Sequence, residues 1–147
     1  MYSSVDDMVS RFGLAEMCRL TTPSGQALLS EPDPAVVSRA LTEASAVVDS
    51  YLRRRYQTPI TSDEPEITRA AAILARYDLA HGDDRQPSQQ MIDERADVVS
   101  WLKGIRDGTI LLDLDAVSSS EESQAVAQTR VEAWHTNARP AGWGGVG

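Results

Sequence analysis

Apolar positions recur at spacings of three and four along three long stretches of this chain, and residues that start or stop helices bound each stretch. The best marked runs from Asp33 to Tyr56. Val37, Leu41, Ala44, Val48, Tyr51 and Leu52 fall on one face, widened by Ala40 and Val47, while Arg39, Glu43, Asp49 and Arg53 fall on the other. Asp33 is placed to accept from the first free amides, Pro34 suits the first helical position, and Thr58 with Pro59 marks the stop. The pattern predicts a helix of about six turns, around which the other segments are expected to pack. Asp49 and Arg53 are expected to pair on its wet side, acid first at a spacing of four.

A second helix is predicted from Pro65, capped by Asp63 or Glu64, to about His81 before Gly82. Its buried side is expected to hold Ile67, Ala70, Ala71, Leu74, Tyr77 and Leu79 or Ala80. After the polar loop Gly82 to Pro87, Ser88 opens a third helix that Gly108 closes, with Met91, Ile92, Ala96, Val98 or Val99, Leu102 and Ile105 facing inward and Trp101 at the edge. Ahead of these lie two short helices. Ser4 begins the first, with Asp6 and Asp7 in its positive first turn, an apolar edge of Met8, Val9 and Phe12, and Gly13 as its stop; the second spans Leu14 to Leu20 and presents Leu14, Met17 and Cys18. Thr21 to Gly25 reads as a turn.

Beyond Gly108 the period changes. Ile110, Leu111, Leu112 and Leu114 form a short apolar run suited to an extended segment, and Ser118 to Ser123 is a polar linker. The remainder contains Trp134 and Trp143 among glycines, without periodicity to bury them. The fold class is therefore all-α: a small bundle of three long helices plus two short N-terminal helices, with an extended C-terminal tail. Residues 1–112 are expected to form the helical domain and residues 113–147 the tail.

A length of 147 residues suits one domain with a core of its own. The single cysteine excludes an intramolecular disulfide, the N-terminal residues lack the pattern of a secretion signal, and no apolar run is long enough to span a bilayer, so a reducing, cytoplasmic setting is expected. Fourteen basic against 22 acidic residues give a net charge of −8, which opposes general phosphate binding. Residues 1–56 carry six Arg against seven acids, and residues 57–147 eight bases against fifteen acids, so the second half holds the acidity. Thirteen of the bases are Arg and Lys103 is the one Lys, a bias that either fixed bidentate contacts or codon usage explains, codon usage being the simpler account.

The constellations that carry catalysis are missing from the sequence: no CxxC, HExxH, phosphate loop or GxSxG occurs. His81 falls at a helix end, where a structural or solvated role is expected, and His135 in the tail. Asp83 with Asp84, and Asp113 with Asp115, lack the loop of a calcium site, and Cys18 has no nearby histidine to form its thiolate. The expectation is a protein without catalysis, cofactor or metal. Arg53, Arg54 and Arg55, followed by Tyr56, make the one basic cluster. Successive helical residues diverge, so the cluster reads either as a solvated helix end opposing the dipole or as a contact for a subunit or partner. Trp134 and Trp143 suit interface anchors, or a tail folded back on its own body.

Four segments, YSSVDDMVSRFG with LAEMCRLT, ALTEASAVVDSYLRRRYQTPI, RAAAILARYDLAHG and VVSWLKGIRDGTILL, together resemble the Mu-like phage family of head-tail connector, or head-completion, proteins over about 110 of the 147 residues. The most specific positions are Ala44, Ser45, Val48, Asp49, Tyr51, Leu52, Tyr56 and Pro59; Val48 stands where Ile is common, and the chain after Ala116 is least similar. The resemblance implies a virion protein, made in the host cytoplasm, that joins a ring of about twelve copies beneath the portal. It also implies a channel through which DNA only passes, a tail-side connector or stopper protein as the next partner, and no membrane. Arg53, Arg54, Tyr56, Arg130, Trp134 and Trp143 are then the expected subunit or portal contacts. The rival class is a small helical DNA-binding regulator, against which the acids of the third helix, Asp93, Glu94, Asp97 and Asp107, weigh. An enzyme using unrecognised carboxylates is the third class, and no motif favours it.

Overall fold

The computed structural model describes residues 1–82 and 84–114. They form five helices, α1 (Val5–Phe12), α2 (Leu14–Thr21), α3 (Pro34–Leu52), α4 (Pro65–Ala80) and α5 (Gln89–Asp107), and no strand occurs among the described residues. The all-α class with three long and two short helices is thus observed. Of the 113–147 tail, all beyond Leu114 lies outside the described residues.

Local chemistry sets most of the helix ends. At α1 the Ser4 hydroxyl accepts from the Asp7 amide at 3.1 Å and the Asp7 carboxylate accepts from the Ser4 amide at 2.8 Å, so each residue satisfies the other's free donor. Asp33 accepts from Ala35 N–H at 2.9 Å and Val36 N–H at 3.5 Å. Ser88 accepts from Met91 N–H, and Gly108 closes α5 in the left-handed region at φ 84°. At the end of α2 the buried Thr21 and Thr22 hydroxyls donate to the Met17 and Cys18 carbonyls at 2.8 and 2.6 Å. They also accept from the Asp33 and Leu29 amides at 3.1 Å, which ties the intervening loop to the body.

The centre is shared by α3, which the sequence pattern favours and which packs on α1, α4 and α5, and α4, the more enclosed of the two. Six consecutive residues, Ala70 to Ala75, are buried, so α4 is enclosed on all sides for more than a turn, between α3 and α5 with α2 against it. Alanine makes this possible: a small side chain lets neighbouring backbones approach without loss of helix propensity. From α3, Val37, Ala40, Leu41, Ala44, Val48 and Leu52 enter the core, whereas Val47 stays 41% exposed. The inner stripe of α5 is Met91, Val98, Leu102 and Ile105. Ile92 and Ala96, expected inside, face outward, because the inward position between Met91 and Val98 belongs to Glu94, which bonds Arg76. Leu14 of α2 is likewise exposed, while Met17, Cys18 and Leu20 are buried.

Two polar details of α3 also differ from expectation. Asp49 turns away from Arg53 and accepts from the Tyr2 hydroxyl, which in turn accepts from Ile60 N–H at 2.8 Å. Burial, helped by the bond to Asp49, pushes the Tyr2 phenol up to about 12, so it remains a donor throughout the neutral range. The helix also stops at Leu52, four residues before Tyr56 and well short of Pro59. The Arg55 and Tyr56 amides both donate to the Leu52 carbonyl at 2.9 Å, a tightened turn that carries Tyr56 into the core at 4% exposure.

Candidate interaction surface

The chain reverses twice between α3 and α5, so the C-terminal ends of these two helices, each with its unpaired carbonyls, lie together at one end of the bundle. Arginines gather there. Arg55 donates from Nε to the Arg106 carbonyl at 3.1 Å, capping α5 from a neighbouring element, and its guanidinium occupies the space that a Cβ on Gly108 would need. Arg106 bridges to Asp107 at 2.9 Å and holds its guanidinium carbon 5.8 Å from the centre of the Tyr51 ring. The Arg106 hydrogen bond draws the Asp107 carboxyl below its usual range, and Arg54 and Arg55 add to the effect through their charge. Arg54, Arg55 and Arg106 therefore converge on one acid. Arg53 and Arg54 are exposed, and neither forms an ion pair among the described residues.

The last described residues pack at this same end. Leu112 N–H donates to the Tyr56 hydroxyl at 2.9 Å, and that hydroxyl donates to the Leu112 carbonyl at 3.3 Å. Ile110, Leu112 and Leu114 pack against the core while Leu111 is 74% exposed, the alternation of an extended strip. Tyr56 thus works inside the body, and Arg53 and Arg54 stand nearby at its surface. Arg130, Trp134 and Trp143 lie outside the described residues.

Between α4 and α5 lies a groove of about 330 Å³ with Ile73, Val98 and Trp101 at its floor and Glu66, Arg69 and Asp97 on its rim; no residue of α3 lines it. The sequence reading missed both this groove and the parts played by Arg55 and Arg106. A signal existed for Arg106, a cation in the last turn of a helix, whereas the groove depends on how two helices splay. Among the described residues no cluster of three or more His, Cys, Asp or Glu is arranged to hold a metal ion. His81 is exposed at the end of α4, its ring centre 5.9 Å from that of Tyr77 in an edge-on arrangement, and Cys18 is buried at 3% exposure. No helix among the described residues is long and apolar enough to cross a membrane.

Comparison with known proteins gives a consistent picture. The family described as bacteriophage Mu, Gp36 matches residues 2–131. Gene product J of Escherichia phage Mu is 33% identical over 107 residues, which span 73% of this chain and 72% of that protein. The Mu-like prophage FluMu protein gp36 of Haemophilus influenzae is 26% identical over 140 residues, 93% of this chain and 94% of that protein.

Proposed function

We propose that this chain, which belongs to the bacteriophage Mu Gp36 family, is a structural protein of the phage particle that joins head to tail without catalysing a reaction. It is made in the host cytoplasm and assembles beneath the portal as a ring of about twelve copies. There it continues the channel through which DNA passes and offers its far side to a tail-side connector or stopper protein. The observation that carries this reading is the basic end of the bundle. In a chain of net charge −8, exposed Arg53 and Arg54 form no ion pair among the described residues, and they stand beside the Tyr56–Leu112 contact. Exposed cations without a carboxylate partner among the described residues suit docking on another protein. An acidic body around a channel also leaves passing DNA free to slide.

The test is the mass of the full chain by light scattering, alone and with its portal protein over a concentration series. Many copies joining each portal ring, with loss of binding in the Arg53→Ala/Arg54→Ala variant, is the expected result. A stable dimer that ignores the portal would overturn it, and a gel shift with duplex DNA that fades steeply with salt would favour the regulator instead.

A further inference from the structure

We propose that copies of this chain pair head to tail in solution, the exposed face of α3 in one copy seating in the α4–α5 groove of the next. The two surfaces are different parts of the molecule, as a head-to-tail contact requires. Val47 and Ser50 on the outward face of α3 and Arg54 in the turn that follows it succeed one another at spacings of three and four, with Arg53 beside them, so one stripe carries an apolar residue at 41% exposure and ends in cations. The groove answers both features. Its floor is apolar, with the partly buried Trp101 beside the buried Ile73 and Val98, and its rim carries Glu66 and Asp97, which form no ion pair among the described residues.

The register also fits. Within one copy α4 runs back alongside α3, so moving away from the basic end means moving from Arg54 towards Val47 on α3 and from Glu66 towards Ile73 on α4. Both pairs are seven residues apart, about 10.5 Å along a helix. If neighbouring copies stand parallel, Arg54 opposite Glu66 therefore brings Val47 opposite Ile73. Arg69, the one cation lining the groove, then falls at the level of the neutral Tyr51 rather than of an arginine. Burial of Val47 and Trp101 would supply the attraction, and the charges the direction and register. The pairing deepens the connector reading, on which it rests only for closure into a ring.

Charge reversal tests the pairing without the portal. Full-length Arg53→Glu/Arg54→Glu protein has an acidic α3 end against an acidic groove, and Glu66→Arg/Asp97→Arg protein has the opposite conflict. Each alone is expected to associate at least tenfold more weakly than the unaltered chain in sedimentation from micromolar to millimolar concentration. Mixed in equal amounts they are complementary at every contact, and association should return. The unaltered chain should grow past the dimer with concentration, since a head-to-tail contact does not close at two. Circular dichroism checks folding, and Glu66→Gln/Asp97→Asn replaces the groove variant should it unfold, with a weaker loss expected. A chain monomeric up to millimolar concentration, a plateau at the dimer, variants that associate like the parent, or a mixture that does not recover would each overturn the pairing. Portal binding of the same samples is scored separately. Portal binding without pairing leaves the connector reading standing and removes this one, and pairing without portal binding does the reverse.

Discussion

Where α1, α2, α4 and α5 converge, the Arg76 side chain is 11% exposed and every direction of its guanidinium is answered. It donates to Glu16 at 2.8 and 2.9 Å and to Glu94 at 3.0 Å, and it lies 4.5 Å over the Phe12 ring. At the end of α3, Arg54 carries the same group into water, with only the nearby charge of Asp107 to respond to it. The residue type is constant; what differs is whether another element brings an acceptor to it. Arg85 belongs with Arg76, since it donates to the Arg19 and Thr22 carbonyls at 2.6 and 2.9 Å and so closes the end of α2. Arg55, capping α5, sits between the two conditions. The arginine that stabilises the body is thus the enclosed one, and the arginine left open is available to a partner.

The contrast can be broken at its enclosed pole first. Arg76→Ala leaves Glu16 and Glu94 unpaired; removing one partner of a fully buried pair costs about 3–5 kcal/mol, and partial exposure of both acids brings the expected loss to about 2–3 kcal/mol in urea unfolding. Gly108→Ala comes next. A Cβ there would collide with the Arg55 guanidinium and sit at φ 84°, so a loss of about 1–2 kcal/mol is expected, with fraying of the last turn of α5 in amide exchange. Tyr56→Phe removes the hydroxyl that holds Leu112, which should cost about 1 kcal/mol and speed exchange of the Leu112 amide while the helices keep their protection. The smallest effect is expected at the open pole: Arg53→Ala/Arg54→Ala should change unfolding stability by less than about 0.5 kcal/mol. A larger loss there would mean that these cations already have a task inside the subunit.

Local signals were legible wherever they decide the outcome. Ser88 and Gly108 bound α5 as read, and Ser4 and Asp33 cap their helices through their own side chains. The end of α3 was not legible, because it is decided by Tyr56, whose partner Leu112 lies 56 residues further on. The rank of α4 was hidden for another reason: alanine contributes little contrast between faces, so a helix rich in it reads as amphipathic even when enclosed. Arg76 and Glu94 were read past because a charged residue inside an apolar stripe signals solvent unless its counterpart is known, and here the counterparts come from three helices. For the candidate surface, the run of arginines at residues 53–55 announced a basic end. The division of labour within it, Arg55 inward and Arg53 and Arg54 outward, follows from the carbonyl that Arg106 supplies.

The Tyr56–Leu112 clasp also sets a path for force. A pull on the chain beyond Leu114 meets these two hydrogen bonds before it reaches the last turn of α5, and Tyr56 passes the load into the turn after α3. Tension is thereby shared between two helices joined side by side at the core instead of unzipping one from its end. A load applied at Leu114 is in this way taken up without the body beginning to unravel.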